Sequence, residues 1–469
     1  MKAWALAILF GVLAIGGCAT FSRDGGFGDV EKVAKERLDK EVRWQRRDGD
    51  IEGIDAAVKK LLASELTAAD AVQIALLNNR GLQASYAELG IAEADLVQAG
   101  RMTNPHFAYL RTARGDERKL EWALTFPLID LLTIPLRTRI EGRRFEQVKL
   151  AVAGNMLDVA TETRRSWFRA VAAGEIARYR AQVMSAAEAS AELARRMAKV
   201  GNVNWLDQMR EQVFYAEAVA QLAQAKRAET AERERLTRLM GLHGDAILYR
   251  LPERLPELPA AKEELGDLEA RAIARRVDIV AAKRDAETLA SSLGLTRVTR
   301  FINVLDLGPA ATKEDPEPWK RGFEVSLQLP IFDWGGARVA RAEAVYMQAV
   351  HRVAETAVNA RSEVREACSA YHTAYDTAKH YRDEIVPLRK KIAEENLLRY
   401  NGMLISVFEL LADSREQVAS VAAYVGSLRD FWLAESDLQA SLNGTSFVRR
   451  AAAPRVSGGM APEPALAGH

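Results

Sequence analysis

The chain has 469 residues and carries 65 Lys and Arg against 64 Asp and Glu, for a formal net charge of +1 at pH 7. That balance excludes the basic field on which nucleic-acid binding depends. Two cysteines, Cys18 and Cys368, are too few for a disulfide framework.

The N-terminus reads MKAWALAILFGVLAIGGCAT, with one Lys ahead of an apolar run from Ala3 to Ile15. The run is short for a membrane span and has the layout of a secretory signal. Gly16 and Gly17 stand directly before Cys18, an arrangement that resembles the bacterial lipobox. The resemblance implies a signal peptide over 1–17 and a lipid-acylated Cys18 as the first mature residue. Ala19 in place of Asp implies sorting to the outer membrane.

After a segment over 18–65 the chain repeats itself. Residues 66–100 are Ala- and Leu-rich with helical spacing, and lead into two strand-like stretches, 105–113 and 119–126, separated by "RGDE". In the second stretch Leu120, Trp122, Leu124 and Phe126 alternate with Glu121, Ala123 and Thr125, and Pro127 ends it. A helical pattern then runs to Gly201 and a shorter one returns to about Leu242. "RLPERLPELPA" at 250–260 reads as an extended connector. The series recurs as a helix over 266–294, strands over 297–307 and 321–329 about the turn signal "GPAATKEDPEP", then Pro330, a helix to Gly402 and a return to about Leu442. Pro127 and Pro330 are 203 residues apart, as are Asp130 and Asp333. The expected division is 18–65, a first repeat over 66–249, a connector over 250–265, a second repeat over 266–443 and a flexible Pro-, Gly- and Ala-rich tail over 444–469.

From Pro127 to Gly201 is 74 residues. A helix of that length reaches roughly 100 Å, far more than a compact core needs. The return helix covers little more than half the distance, so the short helix opening each repeat is expected to stack end to end with a returning one. The strands raise a second problem. One face is apolar and the other small or polar, the pattern of a membrane barrel stave, yet a chain supplies four staves and such a barrel needs at least eight. Closure therefore calls for several chains.

Taken together, the lipobox, the duplicated half with its strand pairs, "LPIFDWGGARVARAEA", "ARRVDIVAAKRDAE" at 274–287 and "YNGMLISVFELLADSREQ" resemble the TolC-type outer-membrane efflux factors over roughly residues 66–443. Where that family carries an Arg-Pro-Asp triplet, this chain has Arg276, Val277 and Asp278. The resemblance implies a mainly α fold with a small β part. Duplicated antiparallel helices form an α-helical barrel, and four strands per chain close as a twelve-stranded barrel in a homotrimer. It further implies a passive exit duct, non-enzymatic and without nucleic acid, set in outer-membrane lipid with a large periplasmic part. Its partners are a periplasmic adaptor (membrane fusion protein) and the inner-membrane pump of a tripartite efflux or type I secretion system. A tethering lipoprotein with periplasmic coiled coils is the alternative.

No catalytic spacing accompanies the six histidines, and Cys368, His372, Asp376 and His380, one turn apart along a single helix, read as a solvated face. Gly201 and Gly402 mark the reversals, where Gly supplies a positive φ. By the resemblance these tips, with Val200 and Asn401, meet the adaptor, and Asp207 with Glu409 or Asp413 forms an acidic ring at the periplasmic entrance. The two repeats differ by four residues between Gly and "REQ", which leaves Glu409 and Asp413 as alternatives.

Overall fold

The computed structural model describes residues 20–262, 268–299, 305–329 and 331–444. The signal-like run, Cys18, Pro330 and the tail from residue 445 lie outside the described residues.

Two helices, α1 (Phe27–Leu38) and α2 (Asp48–Leu62), precede the first repeat. The repeat comprises α3 (Ala68–Asn78), α4 (Arg80–Ala99), β1 (His106–Arg114), β2 (Glu117–Pro127), α5 (Leu128–Lys199) and α6 (Trp205–Met240). In the second are α7 (Leu268–Arg275), α8 (Val277–Val298), β3 (Leu305–Glu314), β4 (Lys320–Leu327), α9 (Gly336–His380), α10 (Val386–Asn401) and α11 (Val407–Asn443). The chain is thus mainly helical, with one four-stranded sheet.

Helix α5 is the spine. Its 72 residues extend about 108 Å at 1.5 Å per residue. Buried Met156, Ala160, Thr163, Trp167, Val171 and Gly174 recur every three or four positions along one side. Its counterpart is interrupted: between α9 and α10 the chain takes one π turn, Tyr381–Ile385, which ends two positions before Pro387. Proline has no N–H to donate and its ring crowds the preceding turn, which a locally wider turn relieves.

The composite rods are made by splices. Asn79 leaves the helical region, breaking α3 from α4, and its Oδ1 accepts from Leu82 N at 2.9 Å to cap α4. Nδ2 of the same residue donates to Leu239 O, and Asn78 Nδ2 donates to Met240 O and Gly241 O, so the last carbonyls of α6 end on the start of α4. Gly241 adopts φ +66°, and a Cβ there would lie 2.6 Å from Asn78 O. In the second repeat Arg276 breaks α7 from α8. Its guanidinium, 1% exposed, donates to Ser441 O at 3.0 Å and pairs with Asp278 at 2.8 Å and Glu363 at 2.7 Å, so α11 ends on α8.

Three expectations are corrected. The third strand lies at 305–314, not 297–307, because α8 persists to Val298 and "GPAAT" is strand. A Cβ at Gly308 would stand 1.6 Å from Leu124 O, so this glycine marks close strand approach and not a turn. The Pro-Asp repeat is only partly structural: Asp130 sits in the first turn of α5, whereas Asp333 lies in the loop before α9 and accepts from Gly335 N at 2.8 Å. Positive φ at the tip holds for Gly201 at +79°, but Gly402 has φ −80° and Met403 takes the left-handed position at +57°.

The two repeats meet where α11 lies on α5. Phe168 and Trp432 stack at 5.2 Å with 10° between ring planes, Arg164 pairs with Glu435 at 2.9 Å, and Tyr179 Oη donates to Val418 O at 3.2 Å. The segment after Tyr249 is strapped across this seam, with Trp432 Nε1 donating to Pro256 O and Tyr375 Oη to Pro259 O. Asp437 stands 3.0 Å from Arg165 Nε without hydrogen-bond alignment, and burial pushes its carboxyl up to about 6 against the pull of Arg165 and Arg169.

Replacing Arg276 by Met strands two carboxylates and the end of α11, and is expected to cost about 3–5 kcal/mol in denaturant unfolding. Asp437 gives a pH dependence of definite sign. Its folded value lies above the 3.8 of the free group, so the ionised form opposes folding and this contribution to stability grows as pH falls through 6 and levels off below 4. Asp437→Asn is therefore expected to be more stable than the parent at pH 8, by about 1–3 kcal/mol, with the difference gone near pH 4 in thermal melts.

Candidate functional site

Two regions carry the features that bear on function, the sheet and the far ends of the helical hairpins. Along the sheet the order is β1-β2-β3-β4, antiparallel throughout, which leaves β1 and β4 as edges. The register sorts side chains by face. Phe107 lies opposite Leu124 and Tyr109 opposite Trp122; Phe126 lies opposite Leu307, and Leu307 opposite Val325. The other face is small and polar apart from Leu110, which lies opposite Glu121: Ala123 pairs with Ala310, Glu121 with Thr312, and Asp306 with Ser326. The alternation read from the sequence is the alternation of the sheet. Phe107, Tyr109, Phe323 and Val325 on the apolar side are 62%, 59%, 82% and 62% exposed.

At the first tip α5 ends on Val200 and the chain reverses through Gly201, with Asn202 N donating to Met197 O at 3.0 Å. At the second, Leu404 N donates to Arg399 O at 2.8 Å and closes the turn around Gly402 and Met403, with Asn401 the last residue of α10. Val200, Gly201, Asn401 and Gly402 are all exposed. Of their neighbours the sequence reading singled out Met403, beside Gly402, but not Trp205, Leu206 or Leu404. Trp205 is 72% exposed and Leu206 53%, while Met403 is 92% and Leu404 77%, so each tip presents large apolar groups to its surroundings. The signal was present in "NVNWLDQM" and "NGMLISV" as apolar residues within a reversal.

The carboxylates divide three ways. Asn204 caps α6 by accepting from Asp207 N at 2.8 Å, and Ser406 caps α11 by accepting from Glu409 N at 3.2 Å. Asp207 and Glu409 thus hold the same N3 position of equivalent helices, where a negative charge also meets the helix dipole. Asp207 is further engaged by Arg210 at 3.0 Å and by the Asn204 amide at 2.8 Å. Glu409 is exposed. Asp413 is half-buried and accepts from Asn396 Nδ2 between α10 and α11. The structural correspondence therefore runs from Asp207 to Glu409, and the repeated "REQ" is out of step with it.

That mismatch hides a pair the sequence did not disclose. Glu211 of the first "REQ" is 2% exposed and accepts from Arg415 of the second at 2.6 Å and from Ser190 Oγ at 2.7 Å. The Arg415 guanidinium also lies 4.1 Å from the Phe214 ring centre. This buried bridge ties the lower parts of the two hairpins together.

Elsewhere the four-residue stripe on α9 stays dispersed. Asp376 is bound by Lys262 at 3.3 Å and His380 by Glu384 at 3.3 Å. Among the described residues no three His, Cys, Asp or Glu side chains converge on a metal-sized site. Cys18 lies outside the described residues. Four positions on, Ser22 is fixed through its N–H and hydroxyl to the buried carboxylate of Glu93, two turns from the sheet end of α4.

No family model matches the chain. The cobalt-zinc-cadmium resistance protein CzcC of Cupriavidus metallidurans is 28% identical over 292 residues, 58% of this chain. The match spans 64% of that protein's length, somewhat less than two thirds. Among solved structures, a membrane protein from Pseudomonas aeruginosa superposes with a TM-score of 0.68 at 20% identity, over 83% of this chain and 94% of that one. The Campylobacter jejuni CmeC outer membrane channel does so with a TM-score of 0.67 at 18% identity, over 88% and 92%. The chain therefore has the fold of the TolC-type outer-membrane efflux channels.

Proposed function

We propose that the protein is the outer-membrane exit duct of a tripartite export system, assembled as a homotrimer. The observation that carries this reading is the four-stranded sheet, with its large apolar side chains gathered on one face and open at both edges, standing at the end of rods roughly 100 Å long. Edges of this kind cannot sit in lipid, whereas β4 of one copy beside β1 of the next satisfies both. Three copies give twelve staves, with the small and polar face turned to water. The rods then continue the lumen across the periplasm. Energy comes from an inner-membrane pump, reached through an adaptor that the exposed Val200, Trp205, Met403 and Leu404 suit as an apolar docking surface. The name of the relative CzcC makes divalent transition-metal cations the cargo to test first.

Lipidation at Cys18 belongs to the same reading. Ser22 is held on Glu93, two turns from the sheet end of α4, and the four residues back to Cys18 reach up to about 14 Å. Mass spectrometry of the mature protein is expected to find a lipid-modified Cys18 at the N-terminus, and an unmodified Cys18 or a retained Met1 overturns this part.

For the entrance, threefold closure gathers like carboxylates about one axis, where a polyvalent cation relieves their repulsion. Glu409, without the local partners that engage Asp207, is the stronger candidate. The trimer is expected to conduct in planar bilayers and to be blocked by a trivalent cation added on the periplasmic side. Glu409→Gln should weaken that block more than Asp207→Asn, and Asp413→Asn least. A trimer that never conducts favours the tethering lipoprotein, and equal block of all three variants removes the acidic ring from these positions.

A further inference from the structure

We infer that the hairpin end of the sheet's apolar face is a binding surface for anionic, phosphate-bearing lipid headgroups. The inference rests on the reading above that this face meets lipid.

The register puts the cations of the sheet in two distinct settings. Arg111 lies opposite Leu120, Leu120 opposite Lys313, Ala113 opposite Arg118 and Ala311 opposite Arg321. These pairs continue the rows that hold Trp122, Leu124 and Phe323, so all four cations project from the apolar face, close to the β1–β2 and β3–β4 turns. The strand carboxylates, Glu117, Glu121, Asp306, Glu314 and Glu324, all fall on the opposite face. There Lys119 stands 2.6 Å from Glu121 and 3.7 Å from Glu314.

Among the described residues, the one cation of the apolar face with a counterion is Lys313, which meets Asp315 of the turn at 3.1 Å. Among the described residues no carboxylate lies within ion-pairing distance of Arg111, Arg118 or Arg321, and all three are exposed. Phe107 and Arg111 are four residues apart on β1, about 13 Å along the strand. The guanidinium groups thus stand just past the apolar rows, at the level where acyl chains give way to headgroups. Arginine at such a boundary meets phosphate bidentately, while the adjoining Trp122, Leu124 and Phe323 take the chains. A free phosphate ion would use the cations alone, and the apolar rows favour a lipid.

The test uses the full-length protein in phosphatidylcholine vesicles with increasing phosphatidic acid, with brominated lipid of either kind quenching tryptophan fluorescence to report which lipid contacts the protein. The parent is expected to prefer phosphatidic acid, and each cation to contribute roughly fivefold at low salt. Arg111→Gln, Arg118→Gln and Arg321→Gln together should abolish the preference. Lys119→Gln with Lys320→Gln, on the other face, should leave it. Inorganic phosphate should not displace the lipid, and if it does so at equal concentration the surface binds a free ion and the proposal fails. It fails equally if the inserted parent shows no preference or the triple variant keeps it. Should the triple variant not insert, the three single variants decide by the same criterion. A parent that does not insert at all is a different result, which removes the membrane reading itself.

Discussion

A helix in a folded protein draws most of its stability from the packing of its buried side, and the described chain is arranged around supplying the 72-residue α5 with packed neighbours along its length. α6 returns along its lower half, α4 continues that line toward the sheet, α11 brings the second repeat against it, and α1 covers part of its upper stretch through contacts such as Lys149 with Asp29. Where α5 is covered on several sides its buried residues are crowded, as at Trp167, Phe168, Ala170, Val171 and Ala172. The matching stretch of α9 buries only a single side, at Val364, Ala367, Tyr371 and Tyr375. Two sequences of common pattern thus occupy different environments, and α9 is the helix left with an open flank.

The splices follow from the same arrangement. A rod made of two helices end to end has a carboxyl terminus with unpaired carbonyls facing an amino terminus with unpaired N–H groups, in a setting from which water is partly excluded. The first repeat resolves this with neutral amides, Asn78 and Asn79. The second uses a buried arginine whose charge requires both Asp278 and Glu363. Hydrogen-bonded amides carry no desolvated charge, so the two solutions differ in what their loss would cost.

At the opposite extremes of the rods the side chains change character. Toward the sheet a face with exposed apolar side chains ends in arginines that have no carboxylate in ion-pairing distance among the described residues; at the reversals large apolar groups stand exposed beside capping carboxylates. Both are surfaces that a single chain leaves unfinished.

Sequence alone determined the elements whose cause is local. Alternation from Leu120 to Phe126 and from Phe323 to Leu327 fixed which residues share a face, because side chains in a strand alternate irrespective of what they pack against. The long helical period and the reversal at Gly201 were legible for the same reason. Tertiary structure decided what depends on approach between distant segments. Gly308 looked like a turn residue and proved to be the point where β3 presses on Leu124 O. Glu211 and Arg415, 204 positions apart, became one bridge although their matching tripeptides suggested equivalence. Asp207 and Glu409 became equivalents through their caps, Asn204 and Ser406, and not through spacing from the tip glycines. A helix can slide by one residue and rotate each side chain by about 100°, so partners between rods are set by packing and by the caps that fix each helix's start, quantities that no stretch of sequence contains.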